Sequence, residues 1–571
     1  MDGEAHISNS DRPWLASYPD FADWAMSIGS EPAYAAMERS IAAYPEKICM
    51  EFLGRTWTYR ETGEMIRSAA KGLQDLGVGK GDRVALMLPN TPYYIVMFHA
   101  TLLIGGIVVN VNPLYAPREL DDIVKDSRPR MLVTMDLDAM YPKARETVDK
   151  HNIEKLILCS MTDVLPWRKA VLFNIFRRKT LARVDDDDRQ VWFEDLIEND
   201  ASFEPAEINC DDDLAVLQYT GGTTGIPKAA MLTHANVSAN AIQVASWYDN
   251  AKLDNESFLA ALPFFHVFAM TVAMMTALRY GASIIMLPRF DLKDCLRAID
   301  QKKPTFFPAV PTIFTAINTF PDVEKYDLSS IKVCISGGAP LPVEVKKEFE
   351  RITGCVVVEG YGLSETSPVA TTNPTVGVNK PGSVGIPMPG TDVEIRSLED
   401  PTQKMPIGEK GEVCIHGPQV MKGYWENPEA TDKTMVDGLF RSGDIGYIDE
   451  DGYVFLVDRL KDIIIAGGYN IYPRNVEEAI HEHPSVAEVT VIGVEDKYRG
   501  QTPKAFIKLR EGASLTKREL NTFLKERLSA IERPSLVEFR DELPKTLIGK
   551  LSKKELKAEE EDGKSSAEAT A

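Results

Sequence analysis

Residues 67–111 read RSAAKGLQDLGVGKGDRVALMLPNTPYYIVMFHATLLIGGIVVNV. KGLQDLGV (71–78) has the pattern of a helix that ends on a glycine stop. DRVALMLP (82–89) is an apolar strand, PYYIVMFHATLLIGG (92–106) is helical, and IVVNV (107–111) is a strand again. Helix, strand, helix, strand is the texture of a parallel sheet covered on both faces. The same alternation predicts strands at KLILCS (155–160), ASIIMLP (282–288), PTFFPAV (304–310), KVCISGG (332–338) and CVVVEGYG (355–362). Ligands of such sheets gather beyond the carboxyl ends of the strands. The glycine-rich ends SGGAP (336–340) and EGYGLSET (359–366) are therefore candidate binding loops.

From about residue 383 the texture changes to short β segments, DVEIRS, GEVCIHG and GYVFLVD, which predict a small β-rich piece closing the large domain. After DRLKD (458–462) comes a helix–strand pair, then the strand PKAFIKL and the charged helix LTKRELNTFLKERLS. That is a separate α+β unit of ordinary domain size. The expected division is 1–460, 461–556 and a disordered low-complexity tail, 557–571.

The chain has 571 residues, too many for one hydrophobic core. Its net charge of −21 argues against nucleic acid as a partner. Seven cysteines form no C-x-x-C pair, which fits packed thiols in a reducing compartment, the cytoplasm. The polar, slightly acidic N-terminus MDGEAHISNSDRPW is not read as a signal peptide. FLAALPFFHVFAMTVAMMTAL (258–278) carries no formal charge over 21 residues. Pro263 and His266 interrupt it, so it reads as a strand, a break and a buried helix rather than a membrane span.

YTGGTTGIPKAAMLTH (219–234) follows the predicted strand LAVLQYT and soon becomes helix-like. Glycines allow close backbone approach, threonines donate hydrogen bonds, and successive N–H groups form an anion nest. Lys228 adds a point charge suited to phosphate. A bare surface turn would not need the Thr-Thr pair with Pro-Lys, and the Walker spacing is absent. This reads as a phosphate cradle.

YTGGTTGIPK, EGYGLSET, RSGD (441–444), VDRLKD (457–462) and LPKTLIGK (543–550) occur in that order. The set resembles the acyl-adenylate-forming enzymes, over about residues 31–556. The texture of GPQVMKGYWENPEAT (417–431) and DGLFRSGDIGYIDEDGY (437–453) is most similar to bacterial long-chain fatty-acid–CoA ligases. The resemblance implies a carboxylate attacking the α-phosphorus of ATP to give acyl-AMP and pyrophosphate, followed by thioester formation with CoA. It also implies that the small C-terminal α+β unit is a mobile lid on a large α/β body.

By the same resemblance Thr220, Gly221, Gly222, Thr223, Thr224, Gly225 and Lys228 hold the β- and γ-phosphates. Glu365 is the expected Mg²⁺ ligand; magnesium keeps phosphate and water oxygens, so one carboxylate suffices. Gly338, Ala339 and Pro340 border adenine, Tyr361 stacks on it, and Gly360, Gly362 and Thr366 complete that loop. Asp444 accepts the ribose hydroxyls and Arg459 adds a ribose or phosphate contact. Lys461 is the hinge, and Lys550 is the lid lysine that bridges carboxylate and α-phosphate. His266 adjoins the acyl site, and Gly467, Gly468 and Tyr469 line the CoA channel. The pattern departs from the family at Ser364, where threonine is frequent, at Met270, where some long-chain members carry a tryptophan gate, and at Ile465, where luciferases carry lysine.

Fatty acid, ATP and CoA are the expected partners, with homodimerisation left open. VLPWRKAVLFNIFRRK (164–179), with five basic residues and no acid, suits peripheral contact with an anionic membrane at its inner face, or else an internal helix with exposed positive ends. A ligase for medium-chain or aryl acids, an acyl-AMP former that loads a carrier protein, and a catalytically inactive nucleotide-binding regulator are the competing readings.

Overall fold

The computed structural model describes residues 12–220, 227–248, 255–466, 469–496, 499–546 and 551–568. Helix α1 (Tyr59–Asp75) starts at a capping box in which the Thr58 hydroxyl accepts from Glu61 N–H and the Glu61 carboxylate accepts from Thr58 N–H. It stops at the expected glycine, Gly77, whose φ of 85° is left-handed. Strand β1 (Arg83–Leu86), helix α2 (Pro92–Leu103) and strand β2 (Ile107–Asn110) follow as read. Every residue of α2 is buried, which its all-round apolar sequence requires.

Strands β3 (Met131–Met135) and β4 (Lys155–Cys159) extend this sheet on one side, and helix α3 (Trp167–Phe176) comes after β4. On the other side β2 pairs in parallel with β5 (Leu214–Thr220). Next to β5 lies the antiparallel strand β6 (Lys228–Thr233), with Thr220 opposite Lys228. The cradle sequence therefore caps a β-hairpin, and helix α4 (His234–Ser246) begins only after β6. Gly423–Tyr424 closes the eight-stranded sheet against β6.

The uncharged 258–278 segment is strand Ser257–Ala260, a break, a π-helical stretch Ala269–Met275 and helix Thr276–Tyr280, as expected. No helix among the described residues is long and apolar enough to cross a membrane. PTFFPAV forms only isolated bridges at Phe306 and Ala309 rather than the predicted strand, because Pro304 and Pro308 have no N–H to give. Strands β7 (Val333–Ser336) and β8 (Val356–Gly362) are parallel neighbours.

Strands β9 (Leu439–Ile448) and β10 (Val454–Arg459) belong to an antiparallel sheet that closes the large domain. The small C-terminal domain contains β11 (Ile464–Ala466), α5 (Pro473–His481) and the long pair β12 (Val486–Asp496) and β13 (Gly500–Leu509). One apolar core runs from Trp14 to Val454, and a separate one starts at Ile464.

Over 557–568 the expected disorder does not hold: helix α6 spans Lys553–Glu568. Leu556 is fully buried in a small cluster with Ile492, Val494, Phe506 and Leu543. Lys557 pairs with Asp462 at 2.8 Å, and Glu559 with Arg540 at 2.7 Å. Charge runs that look like solvated tail thus find partners on the small domain.

Candidate active site

β5, β7 and β8 each deliver a loop at their carboxyl ends. From the first, Thr220 and Lys228 face each other at the mouth of the hairpin, with the Thr220 hydroxyl donating to the Lys228 carbonyl at 3.3 Å. Gly221, Gly222, Thr223, Thr224 and Gly225 between them lie outside the described residues. The Lys228 ammonium stands 5.1 Å from the centre of the Tyr424 ring. Tyr424 reaches this place because Gly423–Tyr424 pairs with β6, in register Tyr424 to Ala230. Its hydroxyl donates to Glu365 Oε1 at 2.7 Å.

Glu365 sits in a short 3₁₀ turn, Ser364–Thr366, and is 8% exposed. Burial raises its pKa, and the Tyr424 hydrogen bond pulls partly the other way. A buried carboxylate of this kind gains from a hard cation, so the donor chemistry fits Mg²⁺ held mainly by phosphate and water oxygens. The Thr366 hydroxyl is committed to its own turn, accepting from Leu363 N–H and donating to the Pro368 carbonyl. Gly362 is fixed by packing: a Cβ there would fall 1.8 Å from the Pro368 carbonyl oxygen.

Tyr361 is the penultimate residue of β8. Its hydroxyl donates to Asp444 Oδ2 at 2.7 Å, while Arg459 Nε approaches Asp444 Oδ1 at 3.2 Å. Asp444 and Arg459 are cross-strand partners on β9 and β10. Burial, and then the Asp444 charge, hold the Tyr361 phenol well above its usual pKa. Gly338, at φ 80°, turns the chain after β7, and Ala339 and Pro340 form a half-open lip beside it. Leu341 N–H at the end of that lip donates to Glu359 Oε1.

The acyl-side segment is tied to these loops. A Cβ on Gly337 would lie 3.1 Å from Phe268 Cζ, so the phenyl ring packs against the β7 loop. Thr271 donates to the Ser367 carbonyl at 2.6 Å, next to the Glu365 turn. Gln218 of β5 donates to the Phe265 carbonyl and accepts from Asn110, which also contacts Met270 Sδ. His266 Nδ1 accepts from Phe268 N–H at 3.3 Å, which leaves the proton of a neutral ring on Nε2.

Thr220, Lys228, Glu365, Tyr361, Asp444, Arg459, Gly337–Pro340 and the His266 segment thus converge. Lys461 lies in the turn Leu460–Asp462 that leaves β10. Tyr469 is 64% exposed beyond it. Gly467, Gly468 and Lys550 are outside the described residues. Sequence reading missed Tyr424, although the quoted GYWENP run contains it; nothing in that run says that a strand pairing would insert it between Lys228 and Glu365.

A family model described as AMP-binding enzyme matches residues 37–425, and one described as AMP-binding enzyme C-terminal domain matches 475–550. The chain is 43% identical to a long-chain-fatty-acid–CoA ligase of Bacillus subtilis (strain 168), over 96% of this chain and 98% of that protein. It is 36% identical to a ligase of the same name from Escherichia coli O6:H1, with the same coverage. ATP-bound MatB from Rhodopseudomonas palustris superposes with a TM-score of 0.81 at 29% identity, covering 92% of this chain and 99% of that one. The apo form of MatB superposes with a TM-score of 0.72 at the same identity and coverage. Matched by one family model over well more than half its length and by relatives end to end, the chain belongs to the AMP-binding enzymes.

Proposed function

We propose that the protein activates long-chain fatty acids with ATP, forming acyl-AMP and then acyl-CoA. The observation that carries this reading is the chain of contacts from Lys228 through Tyr424 to the buried Glu365, beside Asp444. It sets a cation and a metal-seeking carboxylate at the mouth of a glycine-threonine loop.

In the first half-reaction a carboxylate oxygen attacks the α-phosphorus and the bond to the bridging oxygen of pyrophosphate breaks. Lys228 and the loop amides stabilise the charge that accumulates on the leaving pyrophosphate. Mg²⁺, held through Glu365, would neutralise the phosphate oxygens when bound. Asp444 and Arg459 fix the ribose, and Tyr361 with the Gly338–Pro340 lip fixes the adenine. Lys550 is assigned to screen the carboxylate from the α-phosphate, two anions that otherwise repel in a low-dielectric site. In the second half-reaction the CoA sulfur attacks the acyl carbon and AMP leaves; Gly467, Gly468 and Tyr469 line its approach.

The adenylation body is assigned to 1–460 and the lid, expected to end at 556, is assigned to 461–568 so as to include α6, pivoting at Lys461. The protein works in the cytoplasm with peripheral contact to the membrane, and homodimerisation belongs to the same reading. The relatives' names support the long-chain substrate. The 258–278 and 306–314 segments are the proposed tunnel walls, where each buried methylene contributes about 0.8 kcal/mol.

The test is incubation with ATP, Mg²⁺ and a pool of carboxylates, with and without CoA, followed by mass spectrometry. Long-chain acyl-CoA with CoA, and acyl-AMP without it, is the expected result. Acyl-AMP that CoA does not discharge would indicate a carrier-protein loader, and products from short or aromatic acids alone would reject the long-chain assignment.

A further inference from the structure

We propose that α3 and the turn after it form the docking surface for an anionic phospholipid bilayer. This assigns a place to the peripheral contact proposed above and rests on that reading. None of the ten residues of α3 is buried. Ala170 and Phe173, half-buried and three positions apart, hold one face of the helix to the large domain. The opposite half carries Trp167, Val171, Leu172, Ile175 and Phe176, exposed by 72, 51, 52, 65 and 78%. Single exposed apolar side chains are ordinary, but five on one arc are not.

One cation lies within this arc and three lie at its C-terminal end. Arg168 stands 5.2 Å from the Trp167 ring, and Arg177, Arg178 and Lys179 follow the helix directly. Among the described residues these four make no ion pair, in a chain whose net charge is −21. Lys169 instead donates to the Leu53 carbonyl at 2.6 Å and helps fasten the helix. The acidic run Asp185–Asp188 comes next, and its Asp187 is engaged by Arg145 and Arg189.

A helix with Trp and Phe outward and unpaired Arg and Lys beside them matches a bilayer by depth. The rings enter the acyl boundary while the long cationic stems reach back to the phosphates. α3 also follows the carboxyl end of β4, and β5, which presents Thr220 at its own carboxyl end, runs parallel in the same sheet. Docking through α3 therefore brings the edge of the sheet that carries the phosphate loop toward the lipid, the phase in which long-chain acids dissolve.

The test is sedimentation of the full chain with vesicles of phosphatidylcholine alone and with about 30% phosphatidylglycerol. Binding to the anionic vesicles is expected, with little to the neutral ones. Arg177→Glu/Arg178→Glu/Lys179→Glu and Trp167→Ser/Ile175→Ser/Phe176→Ser are each expected to weaken it by about tenfold or more, since the first removes three cations and the second two rings and one aliphatic side chain. Both variants should keep the wild-type melting temperature and the wild-type rate on detergent-dispersed acid. Unchanged sedimentation of either variant, or equal binding to neutral vesicles, would overturn the proposal. So would a lipid-free wild-type dimer that the apolar variant converts to monomer, since the face would then belong to a second copy. Loss of ligase activity in detergent with vesicle binding intact would count against the proposed reaction and leave the docking surface standing.

Discussion

The Tyr361 hydroxyl donates to Asp444 Oδ2 at 2.7 Å, while Arg459 approaches the other carboxylate oxygen. Both carboxylate oxygens are therefore oriented by protein donors, which suits the ribose contact proposed above for Asp444. Asp444→Ala removes this anchor. It is expected to weaken ATP binding by about 1.5–3 kcal/mol, tenfold or more in Kd, read by calorimetric titration with ATP and Mg²⁺ in the absence of a carboxylic acid.

Glu365→Gln preserves shape and an acceptor for Tyr424 but removes the charge. Pyrophosphate release should fall on the order of a hundredfold and require more Mg²⁺ for half-saturation, while the melting temperature does not fall, because a buried, desolvated carboxylate is replaced by a neutral group. A chelator should abolish turnover of the wild type. An unchanged Mg²⁺ titration in the variant would count against Glu365 as the metal ligand.

Tyr424→Phe tests the link that the structure adds to the motif residues. The ring under Lys228 remains and the bond to Glu365 is lost. The expected effect is a loss of about 1–2 kcal/mol in the adenylation barrier, five- to thirtyfold in rate, with the KM for CoA unmoved. Steady-state kinetics of the two half-reactions would separate these.

Lys550→Ala is expected to bind ATP and to convert supplied acyl-AMP and CoA into acyl-CoA, yet to lose acyl-AMP formation. Full adenylation by this variant would remove the lid lysine from the mechanism.

Glu359 gives the pH dependence. It is buried, and burial pushes its pKa from 4.5 to about 7, with Arg474 of α5 and Lys346 acting in the opposite direction and Glu478 in the same one. A raised folded pKa means that its contribution to stability is complete below the unfolded value and is lost as pH rises through about 7. Glu359→Gln, which keeps an acceptor for Leu341 N–H, should match the wild type near pH 4 and exceed it at pH 8 by up to about 3 kcal/mol. Chemical denaturation at both pH values checks this, and an equal shift at both would reject it.

Alternation of apolar runs made the α/β layering legible, because a strand buried on both faces has few choices of sequence. That Thr220, Lys228, Glu365, Asp444 and Arg459 gather in one place was legible, because motif order picks them out along the chain. Tyr424 was not, since it joins the site through pairing of Gly423–Tyr424 with β6, a contact between segments some 190 residues apart. Neither was the Asn110–Gln218–Met270 contact, which depends on how β2, β5 and the π-helical stretch meet. The tail was misread because composition reports on solvation, whereas α6 gains its order from one buried leucine and from acids and lysines whose partners lie in the small domain.

Lys557 of α6 is paired with Asp462, in the turn where the chain passes from the large domain to the small one. Leu556 beside it is embedded in the small domain. Helix α6 is thus fastened at the crossing between the two domains. A fluorophore on it would ride with the small domain and report the lid movement proposed above, whereas truncation after Leu556 would remove the Lys557 tie to Asp462.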